Sequence, residues 1–323
     1  MTKAIRIHNV GGPEVMKWEQ VSTPQPGPNE ALIRHEAVGL NYIDVYFRTG
    51  FYKAPLPATP GMEGAGVVLA VGDEVQDVKP GDRVAYAGGP IGAYATQRVI
   101  PADRLVKLPE EIDFITGAAM MLQGMTAQYL LHRTFKVQKG QTILVHAAAG
   151  GVGLILCQWA SHIGANVIGV VSTEEKAALA KAHGARHTII GHANLAAEVR
   201  RITGGAMVPV VYDSVGKDTF NASIDSLAPL GMMVSYGSAS GAVPPIDIAM
   251  LGAKGSLFLT RPSLSTYTAS HADLLAVSSD LFDVVISGAV KIHVNQTFAL
   301  ENAAAAHEAL EARRTTGSTV LLP

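Results

Sequence analysis

The run Thr142-Ile-Leu-Val-His-Ala-Ala-Ala-Gly-Gly-Val-Gly-Leu-Ile-Leu-Cys157 holds the residues of this chain best suited to chemistry. Ala148, Gly150 and Gly153 take the three glycine positions of G-x-G-x-x-G, with alanine at the first, and Gly151 and Val152 complete the turn. Gly150 lets a backbone approach a pyrophosphate, and Gly153 lets a helix pack closely on a strand. The helix that follows offers unpaired N–H groups and a positive dipole end to an anion. A dinucleotide is therefore the expected ligand, the alternative being a tight turn that binds nothing. Ser172 stands about 20 residues further on, where an acid would bond the ribose hydroxyls of NAD. Lys176 lies one turn into the next helix, so a 2′-phosphate would meet a hydroxyl and an ammonium. NADPH is the expected cofactor. Glu174 and Glu175 oppose this, but carboxylates in a first helical turn are ordinary dipole partners, and Lys176 has an alternative as a solvated helix residue.

Those residues need strands and helices to position them. The segments Thr142–His146, Asn166–Val171, Thr188–Ile190, Val208–Tyr212, Met232–Tyr236 and Leu257–Thr260 read as six strands with helical stretches between most of them. Repeated βαβ units give a parallel, doubly wound sheet. After the glycines, Val152, Ile155, Leu156, Trp159 and Ile163 recur at helical spacing and predict one buried face. The earlier part of the chain has short β runs, Glu30–Val38, Gly64–Val71 and Arg83–Ala87, separated by Pro26-Gly27-Pro28, Pro60-Gly61 and Pro80-Gly81-Asp82. It reads as an irregular, barrel-like β domain. The last segment predicts a helix over 271–288, a strand over 291–298 and a helix over 301–313. With no partner strands of its own, it is expected to complete the first domain. The fold class is thus α/β, with domains at 1–123, 124–262 and, returning to the first, 263–323.

A length of 323 residues favours two domains with a cleft between them, and 48% apolar against 16% charged residues fits large buried cores. A net charge of −2 without like-charge blocks makes nucleic acid an unsuitable main partner. One cysteine excludes an internal disulfide and, with a charged N-terminus, points to the cytoplasm. The charge-free stretch between Lys139 and Glu174 is long enough to span a bilayer, but its glycines, His146 and Gln158 read as strand, turn and helix.

Several further motifs appear in a familiar order: Gly11-Gly12-Pro13-Glu14-Val15, Gly39-Leu40-Asn41-Tyr42-Ile43-Asp44, Arg48-Thr49-Gly50, Gly61-Met62-Glu63-Gly64-Ala65-Gly66, Gly81-Asp82-Arg83-Val84, Tyr212-Asp213-Ser214-Val215-Gly216 and Thr260-Arg261-Pro262-Ser263-Leu264. With the glycine turn, they resemble the zeta-crystallin-like quinone oxidoreductase branch of the medium-chain dehydrogenase/reductase superfamily, across nearly the whole chain. The resemblance implies a GroES-like catalytic domain built from both chain ends. It places Asn41, Asp44 and Tyr46 in the cleft near the nicotinamide, with Gly124 and Thr126 at the domain junction. Ser214, Val215, Tyr236, Gly237, Ser238, Ala239 and Arg261 would line the cofactor. His192 falls where bacterial relatives tend to carry a tyrosine near the 2′-phosphate. The family also implies a homodimer, joined through the sixth strand of the sheet as an edge.

Zinc-dependent members of the superfamily use cysteine and histidine ligands. Here Met62 replaces the histidine, Asn41 lies where a cysteine would come, and the cysteine cluster is missing. No metal site is expected. Without that Lewis acid the substrate must carry negative charge itself, as a quinone or another conjugated carbonyl can. Asn41, Tyr46 and Tyr52 could donate hydrogen bonds to the developing oxyanion, or the tyrosines could be plain cleft residues. Glu63 reads equally as a structural acceptor or a catalytic group, and Cys157 as a buried apolar residue. Three functions remain open: a quinone reductase, an alkenal or enone reductase, and a non-catalytic, crystallin-like NADPH-binding protein.

Overall fold

Proline and glycine punctuation cuts the N-terminal part into short strands, because proline offers no amide to a sheet ladder and glycine admits the turns between. The computed structural model describes residues Met1–Pro323. The chain runs through β1 (Thr2–Ile7), β2 (Met16–Val21), β3 (Glu30–Leu40), α1 (Tyr42–Thr49), β4 (Glu63–Val71), β5 (Arg83–Ala87), β6 (Gln97–Pro101), β7 (Val106–Lys107) and α2 (Phe114–Tyr129). It continues through β8 (Thr142–His146), α3 (Gly151–Ile163), β9 (Asn166–Val171), α4 (Glu174–Ala182), β10 (Ala185–Ile190), α5 (Leu195–Ile202), β11 (Val208–Asp213) and α6 (Phe220–Ile224). The remainder is β12 (Leu227–Ser235), α7 (Ala249–Ala253), β13 (Phe258–Thr260), α8 (Leu264–Tyr267), α9 (His271–Ile286), β14 (Val294–Ala299), α10 (Ala303–Glu311) and β15 (Ser318–Leu322).

Two units form. The first comprises Met1–Met125, Tyr267–Ile286 and Ile292–Pro323, and the second Thr126–Thr266 and Ser287–Lys291. In the first, β1 and β2 pair antiparallel, and a larger sheet follows the order β14-β15-β3-β4-β5-β7, with β6 also on β3. Ile5, Ile33, Val38, Val84, Tyr86, Tyr94, Ile100 and Leu321 fill its core. Of the C-terminal segment, Tyr267–Ile286 and Ile292–Pro323 lie in this unit and Ser287–Lys291 in the second, and the expectation that it lacks partner strands fails. β14 and β15 pair in parallel with each other, and β15 then lies antiparallel to β3.

In the second unit, six parallel strands follow the order β10-β9-β8-β11-β12-β13, the doubly wound arrangement expected. The sheet core includes Leu144, Ile168, Val211 and Met233. β13 is the edge strand anticipated from its position. α3 departs from the single stripe: Leu154 and Cys157 are buried along with Ile155, Leu156 and Trp159, while Val152 and Ile163 are only half-buried. Such a helix is covered on several sides, so its sequence is apolar nearly all round. No helix is long and apolar enough to cross a membrane.

Candidate functional site

Strand order reverses at β8, which has β9 on one side and β11 on the other, and ligands of doubly wound sheets bind beyond the strand ends there. Ala147, next after β8, takes a left-handed φ of 50°, which turns the chain sharply into the glycines. Gly150 caps α3 with extended backbone, and the first turn has neither a side-chain cap nor an acid. Its amides have no intrahelical acceptor, so a phosphate fits there. A Cβ at Gly153 would overlap Ala147 O and crowd Ala148, so the helix could not seat against the turn. This cradle fits the pyrophosphate of a dinucleotide.

The next two strand ends bring the phosphate-reading candidates together. Ser172 is exposed directly after β9, Thr173 caps α4 by accepting from the Lys176 amide at 3.3 Å, and Lys176 is half-buried in the first turn. The Gly191 amide donates to Val171 O at 2.8 Å, which sets exposed His192 beside the Ser172 end of β9. His192 also lines a hollow of about 410 Å³ with Ile190, Asn194 and Glu198.

On the other side of β8, Asp213 anchors a turn that the sequence reading left without a role. Its Oδ1 accepts from the Val215 and Gly216 amides at 2.8 and 3.0 Å, and its Oδ2 from Thr219 and Ser223 hydroxyls at 2.7 and 2.8 Å. His146 Nε2 lies 2.8 Å from Ser223 Oγ, whose hydrogen is already given to Asp213, so His146 donates. This Asp–Ser–His sequence is a structural clamp, because the serine lies between acid and base and no nucleophile is activated. Burial holds the His146 pKa below its ordinary value, keeping it neutral. The clamp fixes the loop carrying Ser214, and Tyr236, its hydroxyl pKa raised by burial, comes directly after the end of β12. Arg261 donates to Ser235 O and Gly237 O at 2.8 and 2.9 Å and to Ser238 Oγ at 3.3 Å, bracing the loop. Thr126 is buried in α2.

In the first unit, Asn41 is the N-cap residue of α1 and is buried. The sequence reading gave it an amide facing substrate, but the structure commits most of it internally. Nδ2 donates to Glu63 Oε2 at 2.6 Å, and Oδ1 accepts from Gln123 Nε2 at 3.1 Å. Its backbone N–H donates to Asp44 Oδ2 at 2.9 Å. Tyr94 OH donates to the same oxygen at 3.0 Å, and His307 and Arg48 continue the chain inward. Burial pushes the Asp44 carboxyl up to about 7 and the Glu63 carboxyl up to about 8, and presses His307 down to about 3. Tyr46 and Tyr52 do come together: their rings meet edge-on at 5.2 Å, and the Tyr52 amide donates to Tyr46 O at 3.0 Å. Phe51 and Phe47 extend this half-exposed aromatic cluster.

No group of three or more His, Cys, Asp or Glu side chains could hold a metal ion. Cys157 is fully buried, and burial pushes its thiol up to about 12, far from a thiolate ligand. The donor set does not fit zinc.

Residues 27–110 match the alcohol dehydrogenase GroES-like domain, and residues 151–272 match the zinc-binding dehydrogenase family, whose name implies a metal that these residues do not accommodate. The chain is 52% identical over 325 residues to a quinone oxidoreductase of Pseudomonas aeruginosa, with 100% of both chains covered. It is 47% identical to a 2-haloacrylate reductase of a Burkholderia species, covering 100% of this chain and 99% of the relative. The structure of Escherichia coli quinone oxidoreductase complexed with NADPH superimposes with a TM-score of 0.97 at 44% identity, over 100% of both chains. The chain belongs to the quinone oxidoreductase branch of the medium-chain dehydrogenase/reductase superfamily.

Proposed function

We propose that this protein is an NADPH-dependent quinone oxidoreductase that works without zinc. The observation that carries the reading is the uncapped, acid-free start of α3 beside Ser172 and Lys176, in a chain 52% identical to a quinone oxidoreductase. NADPH, when bound, supplies the hydride. Gly150, Gly151, Val152 and Gly153, with Ala148, hold the pyrophosphate; Ser172, Lys176 and His192 hold the 2′-phosphate. Ser214, Tyr236, Gly237, Ser238, Arg261 and Thr126 hold the remainder. Asn41, Tyr46 and Tyr52 bind and orient the carbonyl, Asn41 through the amide hydrogen that Glu63 does not take. A reduced quinone leaves as a phenolate with a pKa near ~10, so no committed proton donor is needed. The cofactor domain spans 124–262, with 1–123 and 263–323 forming the catalytic domain, and the protein works as a cytoplasmic homodimer joined at β13.

Reduction of a conjugated carbonyl is a second reading, favoured by the 47% identity to a 2-haloacrylate reductase. Steady-state NADPH oxidation with para-benzoquinone, phenanthrenequinone, an alkenal and 2-chloroacrylate separates the two. The quinones should give the largest kcat/KM; a preference for the alkenal or the haloacrylate would make the second reading the correct one.

A further inference from the structure

The end of β10 holds an imidazole with no hydrogen-bond partner beside the residues that face a 2′-phosphate. Parallel pairing sets Ile190 against Val171, and the Gly191 amide donates to Val171 O at 2.8 Å. Gly191 takes a left-handed φ of 74°, which glycine holds without strain, and the Leu195 amide closes the turn on His192 O at 3.3 Å. The backbone on both sides of His192 is thereby fixed, while its exposed ring makes no hydrogen bond. Exposed Ser172 follows Val171 directly, and Lys176 lies in the first turn of α4. A hydroxyl, an ammonium and an imidazole thus belong to two adjoining strand ends.

We propose that His192 is a specificity-determining residue that reads the 2′-phosphate as an imidazolium, so that NADPH binding draws a proton from solvent onto its ring while NADH binding draws none. This rests on the NADPH reading and is independent of the substrate. The two cofactors differ only in that phosphate monoester, which carries about −1.5 to −2 charges at pH 7. A lysine ammonium meets such a charge equally across the neutral range, whereas a histidine meets it only when protonated, and histidine changes charge between about pH 5 and 8. An imidazolium facing a phosphate is favoured in the complex over the free protein, so affinity for NADPH rises as pH falls and is lost as pH rises through the ring's titration in the complex.

The charged neighbours leave this role to the phosphate. Glu198 on α5 lines the same hollow as His192, but its Oε2 accepts from Arg201 at 2.8 and 3.1 Å. On α4, Glu175 bonds the Thr173 hydroxyl and Glu174 is exposed beside it, where water and salt screen both carboxylates. His146, at the end of β8, is held neutral chiefly by burial, and the charge of His192 acts in the same direction against the pull of Asp213. The His192 ring is therefore within electrostatic reach of the strand end that leads into the glycine turn. Asp213 is itself satisfied by the Val215 and Gly216 amides and the Thr219 and Ser223 hydroxyls.

The test uses the whole protein and the two cofactors, with no quinone present. NADPH and NADH are titrated by calorimetry at constant low ionic strength from about pH 8.5 to about pH 6.5, above the second ionisation of the phosphate near ~6. The ratio of the NADH to the NADPH dissociation constant should grow by about two- to tenfold as pH falls, between the scale of an exposed ion pair and that of a charge-assisted hydrogen bond. Near neutral pH, comparison of HEPES with Tris, buffers of different ionisation enthalpy, should show a fraction of a proton taken up with NADPH and none with NADH. In His192→Gln, which keeps a hydrogen-bond donor but cannot be charged, the pH dependence of the ratio and the NADPH-specific proton uptake should both vanish. An unchanged slope in His192→Gln, or a wild-type ratio flat with pH while NADPH remains the tighter cofactor, overturns the proposal and leaves the NADPH reading standing. Equal affinities for the two cofactors at every pH would overturn both.

Discussion

Arg48 is the largest fully buried side chain of the first unit, only 1% exposed, and its charge is met by Glu311, whose side chain is 32% exposed. The pairing is bidentate, with NH1 and NH2 each 2.8 Å from a carboxylate oxygen. Nε donates to Gly11 O at 3.1 Å, and NH1 also reaches His307 Nδ1 at 3.1 Å. Glu311→Ala would strand a buried guanidinium with two neutral partners. Breaking a fully buried pair costs about 3–5 kcal/mol, and water entering beside the partly exposed position 311 brings the expectation to about 2–4 kcal/mol. Arg48→Leu should cost less, about 1–3 kcal/mol, because Glu311 can turn to solvent. The double variant should fall short of the sum, with a coupling of about 1.5–3 kcal/mol for a charge-assisted pair. The chain has two tryptophans, Trp18 in the first unit and Trp159 in the second. Urea unfolding followed by Trp18 fluorescence in a Trp159→Phe background therefore reads this unit alone. Additive single variants, or a Glu311→Ala cost below about 0.5 kcal/mol, would refute the reasoning and make the pair an ordinary surface contact.

Other expectations follow from the two units. NADPH should bind at least about tenfold more tightly than NADH by fluorescence titration, and Lys176→Ala should narrow the gap by about 1–3 kcal/mol; equal wild-type affinities would contradict the 2′-phosphate assignment. Tyr46→Phe and Tyr52→Phe should each lower kcat/KM by about tenfold or less, below the 10² to 10⁴ of a committed acid or base, whereas Asn41→Ala should cost more; a thousandfold loss in either tyrosine variant would reveal an obligatory proton donor. Light scattering at micromolar concentration should find a dimer, since Phe258 and Leu259 on edge strand β13 are 55% and 38% exposed, and Leu259→Lys should weaken it; a monomeric wild type would refute this.

Features written in local sequence were legible in advance. The glycine turn and the alternation of strands and helices follow from spacing and punctuation within short windows, whereas the edge position of β13 came with the family resemblance. The missed elements lacked such a window. β15 is a five-residue run whose parallel partner β14 is nearby, but whose place in the sheet depends on β3, where Thr319 lies opposite Leu40. α2 is apolar around much of its circumference, so no 3.6-residue stripe marks it. The hydrogen-bonded chain of Asn41, Glu63, Gln123 and Ser318 has no sequence spacing to betray it, and although His307 and Glu311 are four apart on α10, only tertiary packing brings Arg48 to them. Asp213 lay inside a recognised motif, yet its work of pinning the Val215 and Gly216 amides is visible only in the hydrogen bonds.

The most direct test of a zinc-independent, NADPH-linked quinone reductase is activity of metal-stripped protein. After EDTA treatment and dialysis, with zinc content measured by elemental analysis, NADPH oxidation by phenanthrenequinone should continue at the untreated rate with zinc far below one per chain. Activity lost on stripping and restored by added Zn²⁺, or absent with every quinone while NADPH remains bound, would contradict the account.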